Sequence, residues 1–216
     1  MYTKEDKTKN NEAIKNEISK LGPKVSYEMV SEILPKLLAE KRLILNHLVY
    51  TPADPTTLEA SGIGRYLVYD HPDKTNPFSI WVFAFAPRQK TSIHDHEYKG
   101  TVIVLEEPIS EKFYQPTSED SAQLIERTDR YRFHCNKDDL NGNFVHQLKR
   151  RKGLGMGISV TLHIYNMEAH LINQGSEIID RRNLDQIYSK DKIFDKSRIP
   201  PYKEEFPDLS DQLYSL

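Results

Sequence analysis

The sequence predicts a mostly β domain, an antiparallel sandwich or barrel with helices ahead of it. Two observations carry this reading. Up to Leu38 the apolar residues recur at helical spacing, whereas from Arg65 onward Val, Ile, Phe, Tyr and Thr gather in short runs divided by Gly, Pro, Asn and Asp, the pattern of strands joined by turns. No long helical segment interrupts those runs, which favours antiparallel pairing over parallel crossovers.

In chain order, the polar residues 1–12 are expected to form a flexible N-terminus, followed by one domain over 13–216 whose last stretch, 190–216, is an extended tail. Ile14, Ile18 and Leu21 space a short amphipathic helix, stopped by Gly22-Pro23. A second helix carries Val30, Ile33, Leu34, Leu37 and Leu38 on one side, with Ser26 as N-cap. Pro35 lacks an N–H and clashes with the preceding turn, so this helix is expected to kink or restart there. A Pro- and Thr-rich connection, Thr51 to Pro55, leads to Gly62-Ile63-Gly64. The strand-like segments are Arg65 to Tyr69, Phe78 to Ala86, Thr101 to Glu106, Glu111 to Gln115, Gln123 to Glu126, Asn143 to Lys149 and Met156 to Asn166. Ile178 to Tyr188 reads as a late helix, and Pro200-Pro201-Tyr202 with Pro207 as surface-laid tail.

Composition narrows the function. The chain has 216 residues, 38% hydrophobic and 29% charged, with a formal net charge of -2, so there is no general attraction to polyanions and no nucleic-acid partner is expected. The basic run Lys149 to Lys152 reads as a solvated hairpin. Cys135 is the only cysteine, which excludes an intrachain disulfide and an all-cysteine zinc knuckle. Met1 to Lys7 lack the apolar run of a signal peptide and no stretch approaches bilayer length, so a reducing cytoplasm and no membrane partner are expected.

The strongest local signal is Thr91-Ser92-Ile93-His94-Asp95-His96. On a strand, residues two apart share a face, so His94 and His96 can converge on one ion while Asp95 turns away. His146 and His163 lie in later strand-like segments, and barrel closure can bring inward-facing residues of distant strands together. A third nitrogen from His146 leaves exchangeable positions on an octahedral ion; His163 is the alternative donor. Trp81, Phe83 and Phe85 alternate at strand spacing and read as core or pocket wall.

Three separated segments, in order, resemble the thiol dioxygenase branch of the cupins, closest to cysteine dioxygenase: Ser92-Ile93-His94-Asp95-His96, the apolar context of His146, and Thr161-Leu162-His163-Ile164-Tyr165, with Arg65-Tyr66-Leu67-Val68 ahead of them. The resemblance covers roughly Gly64 to Asn166. It implies a cupin-type antiparallel β-barrel (jelly roll) with N-terminal helices, and Fe(II) held by His94, His96 and His146. It also implies Arg65 on a substrate carboxylate, and Tyr165 beside the substrate with its hydroxyl held by His163 and that ring by Thr161. The implied reaction joins a small thiol, L-cysteine or 3-mercaptopropionate, to O2 in a monomeric enzyme.

Departures from the family are specific. The cysteine that some members link to the active-site tyrosine is missing, Gly100-Thr101 standing in that region. Ile63 replaces a tyrosine two residues before the arginine, and the glutamate usual after the first histidine pair is not reproduced, Glu97 following too closely. A metal-dependent cupin isomerase and a non-catalytic small-ligand-binding cupin remain as other readings of the residues.

Overall fold

The computed structural model describes residues 4–96, 98–138, 145–151, 157–174, 177–178 and 182–187. The expected tail over 190–216 lies outside them. Helix α1 runs Lys4–Ser19 and α2 Tyr27–Ala39. Strands follow at Gly64–Asp70 (β1), Ser79–Phe85 (β2), Ile93–Asp95 (β3), Gly100–Glu106 (β4), Ile109–Pro116 (β5), Ser121–Arg130 (β6), Cys135–Asp138 (β7), Val145–Lys149 (β8) and Ser159–Tyr165 (β9). A single helical turn, α3 (Ala169–Ile172), precedes the two-residue strands β10 (Asn173–Gln174) and β11 (Glu177–Ile178), then β12 (Arg182–Ile187).

The first sheet has the order β1-β2-β9-β4-β7, and the second closes as a barrel in the order β12-β3-β8-β5-β6. The mostly β class with N-terminal helices is therefore the fold observed. Every residue of β2 and β9 is buried, because the first sheet is covered on both faces. Ile80, Val82 and Ala84 of β2 and Val160, Leu162 and Ile164 of β9 join Ile14, Ile18, Val30, Leu34 and Leu38 of the helices in one core. The alternate residues Trp81, Phe83, Phe85 and Tyr165 join Ile63, Val102 and Val104 in a second core facing inward. Period-2 alternation thus separates a packing face from a site face on the same strands.

Helix α1 departs from expectation at its start, and of the kink or restart expected at Pro35 in α2 the restart does not occur. The apolar spacing places the start of α1 near Ile14, yet the helix begins at Lys4, so residues 4–12 are helical where a flexible end is expected. Asn10 is the reason: its amide donates to the Asn46 carbonyl (2.9 Å) and the Tyr50 hydroxyl (3.1 Å), and its carbonyl accepts from the Asn46 N–H (2.9 Å). A buried polar residue with its hydrogen bonds made holds a helical turn that no apolar residue marks. In α2, Ser26 accepts from the Met29 N–H as N-cap, and Pro35 is carried inside one uninterrupted helix, held by its buried stripe on the sheet. Leu34 is 2% exposed at the middle of that stripe. Its replacement by Ala should cost about 2–5 kcal/mol in urea unfolding and leave metal stoichiometry unchanged.

Two further expectations are corrected. The segment read as a late helix, Ile178 to Tyr188, contains strand β12, which pairs antiparallel with β3 and parallel with β6; barrel closure decides its conformation, not its own spacing. Arg150, read as part of a solvated basic hairpin, has a fully buried side chain. It donates to the carbonyls of Pro108 (3.1 Å) and Gly157 (3.2 Å) and to Glu107 (3.0 Å), tying together loops that meet there. Strand β7 is unmarked in the sequence.

Candidate metal centre

Strands β3 and β8 of the closed sheet and the inner face of the first sheet build the site. β3 pairs with β8 so that His94 stands directly opposite His146, and His96 follows β3 at the same parity as His94. The three side chains are buried, and one nitrogen from each lies within 4.8 Å of the others. Nε2 of His96 and Nε2 of His146 are 3.3 Å apart. Two imidazole nitrogens sharing an ion at about 2.1 Å stand about 3.0–3.4 Å apart at right-angled to tetrahedral geometry, so this pair is at ligand spacing.

The hydrogen bonds present the right atoms. His94 donates Nδ1–H to the Ser92 carbonyl (3.0 Å), and His146 donates Nδ1–H to Glu111 Oε1 (2.6 Å), so in both neutral rings the lone pair is at Nε2. Burial, then the nearby His146 and His96, hold the His94 pKa well below the ordinary histidine value of 6.5, keeping it in the neutral form a metal requires. Burial, tautomer and convergence together make a donor set that fits one transition-metal ion.

Beside the triad, β9 carries Thr161, His163 and Tyr165 on one face. Tyr165 Oη lies 2.8 Å from His163 Nδ1, and Thr161 Oγ1 lies 2.8 Å from His163 Nε2. The ring of His163 is stacked on Phe83 at 4.0 Å. His163 is thus engaged by its strand neighbours at both nitrogens, and it is His146 that joins His94 and His96. Tyr165 is edge-on to His96, ring centroids 6.3 Å apart, which places the row beside the triad.

Arg65 lies opposite Phe83 in the β1–β2 register and therefore on the inner face. Its guanidinium donates through Nη2 to the Ala60 carbonyl (2.9 Å) and sits 5.9 Å from the Phe83 ring centroid. The chain entering β1 runs flat against the preceding loop: a Cβ at Gly64 would stand 2.0 Å from the Thr51 carbonyl oxygen, and one at Gly62 2.4 Å from that of Thr57. Only glycine permits this approach, which sets where Arg65 begins.

Sequence reasoning misses three residues here. Tyr98 is stacked on His96, centroids 4.9 Å apart and planes 6° off parallel, and meets Tyr165 edge-on at 5.0 Å. Glu111 contacts His146, and Arg130 contacts Glu111 (3.1 Å). A signal for Glu111 exists: it shares strand parity with Ile109 and Phe113, so a carboxylate sits at a core position. Trp81, Phe83 and Phe85 line the site face. His47, His71 and His170 are engaged elsewhere, with Glu106, Tyr69 and Glu168 respectively.

No family profile and no curated protein matches the chain. Among solved structures, a cupin-2 domain protein from Rhodospirillum rubrum matches with a TM-score of 0.38 and 12% identity, over 49% of this chain and 60% of that one; the match thus spans about three fifths of that protein. Oxalate oxidase in complex with the substrate analogue glycolate matches with a TM-score of 0.41 and 13% identity, over 58% of this chain and 59% of the other. Peruvianin-I, a cysteine peptidase from Thevetia peruviana latex, matches with a TM-score of 0.41 and 15% identity, over 63% and 77%. Cupin-2 or cupin-superfamily proteins recur among the matches. No described helix is long and apolar enough to cross a membrane.

Proposed function

We propose that the chain is a thiol dioxygenase, oxidising L-cysteine, with 3-mercaptopropionate as the alternative substrate, to the sulfinic acid at Fe(II) held by His94, His96 and His146. The observation that carries the reading is the buried three-histidine cluster facing the Thr161–His163–Tyr165 row. Fe(II) bound there supplies the redox chemistry by which the sulfur takes up both atoms of O2 and the thiol loses four electrons to it. Three neutral imidazoles leave the cationic charge of such a centre uncompensated by its ligands, which favours a thiolate over a thiol in the pocket. The same reading has the chain act as a monomer in the cytoplasm.

The remaining residues bind and orient. Arg65 offers a planar fork to the substrate carboxylate. The row on β9 has two proton arrangements. In one, the Tyr165 hydroxyl donates to His163 Nδ1. In the other, Thr161 donates to Nε2 and Nδ1–H donates to Tyr165, which turns the phenol proton towards the substrate. The second makes Tyr165 a hydrogen-bond donor to the reacting group. The apolar wall of Trp81, Phe83 and Phe85 excludes water from it.

The test is anaerobic reconstitution with Fe(II), followed by oxygen uptake and product mass with cysteine and with 3-mercaptopropionate. Gain of two oxygen atoms is expected for one of them, and no thiol-dependent uptake by folded, iron-loaded protein would refute the reading. An isomerase would instead turn over without O2. Arg65→Ala should raise KM about 10- to 100-fold with kcat little changed, the size of a lost charge-assisted hydrogen bond; unaltered kinetics would remove Arg65 from the substrate.

A further inference from the structure

We infer that Glu111 and Arg130 are a positioning pair for the metal centre: the carboxylate fixes His146 with Nε2 towards the ion, and the guanidinium fixes the carboxylate. The inference rests on the reading of the three histidines as a metal site, and not on which reaction takes place there.

The two side chains have no exposure to solvent. Glu111 lies on β5 and Arg130 on β6, and β5 also pairs with β8, where Phe113 stands opposite His146. Glu111 divides its oxygens, Oε1 accepting from His146 Nδ1 at 2.6 Å and Oε2 from Arg130 Nη1 at 3.1 Å. Arg130 divides its fork as well, Nη2 donating to the Val102 carbonyl at 2.5 Å. Val102 is on β4, opposite His163 in the β4–β9 register. One chain of hydrogen bonds therefore runs from a histidine of the closed sheet to the backbone of the sheet that bears the Tyr165 row.

A role in stability alone does not account for this arrangement. Removing both charges from water costs more than their attraction commonly offsets, and well-packed apolar residues would serve a core as well or better. Here one oxygen goes to a histidine whose other nitrogen faces the cluster. A carboxylate on Nδ1–H excludes the tautomer that would block Nε2 and makes the ring a stronger donor. The centre thus keeps three neutral ligands while a negative charge sits one hydrogen bond further out.

The experiment uses Co(II) as probe, read by its visible spectrum and by competition with a chromophoric chelator, on the wild type, Glu111→Gln and the double variant Glu111→Gln/Arg130→Met. Glutamine keeps the shape without the charge. The double variant removes both charges of the pair, and so provides a second comparison if the single variant fails to fold. A 10- to 100-fold loss of Co(II) affinity is expected, with a shifted Co(II) spectrum. Wild-type affinity and an unchanged spectrum in a folded variant, whatever its melting temperature, would overturn the inference and leave the pair structural. If wild-type protein binds Co(II) and the variants lose it, but iron-loaded protein consumes no oxygen with thiols, the dioxygenase reading fails and this one stands.

Discussion

Replacing His96 by alanine is expected to leave the protein folded and without metal, its content after dialysis falling from near one ion per chain to near none. The loss should exceed the roughly 10- to 100-fold weakening that follows removal of an outer hydrogen-bond partner, because a donor nitrogen itself is gone. His163 is not placed to substitute, since it is engaged at both nitrogens by Thr161 and Tyr165. His96 lies beyond the end of β3, outside the paired strand register, and the alanine variant keeps every backbone ladder bond of that strand. Elemental analysis alongside circular dichroism checks the result; a full complement of metal in the variant would show that His96 is not a ligand. Acid should act on the same atoms. The His94 pKa is depressed in the fold from 6.5, so its neutral form contributes stability above that value, and the contribution declines as pH falls below it. Protons and metal compete for the nitrogens in the same direction.

Tyr165→Phe is expected to lower kcat with cysteine about 10²- to 10³-fold while metal content and KM change little, the scale of losing one aligned donor to a developing charge. The substitution removes only the hydroxyl, which lies 2.8 Å from His163 Nδ1. The ring remains, edge-on to Tyr98 at 5.0 Å and buried in the inward core. Thr161→Val should give a smaller loss in the same direction, because it releases His163 without removing the phenol. Single-turnover kinetics on iron-loaded protein separate chemistry from binding. A Tyr165→Phe enzyme with wild-type kcat would confine the residue to packing.

The elements legible in the sequence are those whose own residues carry the pattern. β2 and β9 read as strands because their apolar runs are short and rich in β-branched and aromatic residues, and His94 and His96 read as a pair because two-residue spacing suffices. What stays hidden depends on partners far along the chain. Residues 4–12 are helical because Asn10 meets Asn46 and Tyr50. β12 is a strand because β3 and β6 offer it backbone partners, and Leu184 joins an apolar cluster from it. Arg150 is buried because carbonyls from Pro108 and Gly157 converge on it. Glu111 and Arg130 escape notice for the same reason: a charged residue on a strand looks solvated until the strand closing over it is known. The glutamate sought just after His96 is absent from the spacing considered, yet a carboxylate reaches the centre from β5.

The register of β4 determines from which position a covalent bridge to Tyr165 can be engineered. Gly100 is the residue opposite Tyr165, and cross-strand partners project to the same side with Cβ atoms about 4.5–5.5 Å apart. Thr101 is opposite Ile164 and turns its hydroxyl the other way, to Tyr27 Oη of α2 at 3.0 Å. A thiol grafted at 101 would therefore emerge beneath the helices with the sheet between it and the phenol, and a thioether would have to start from 100.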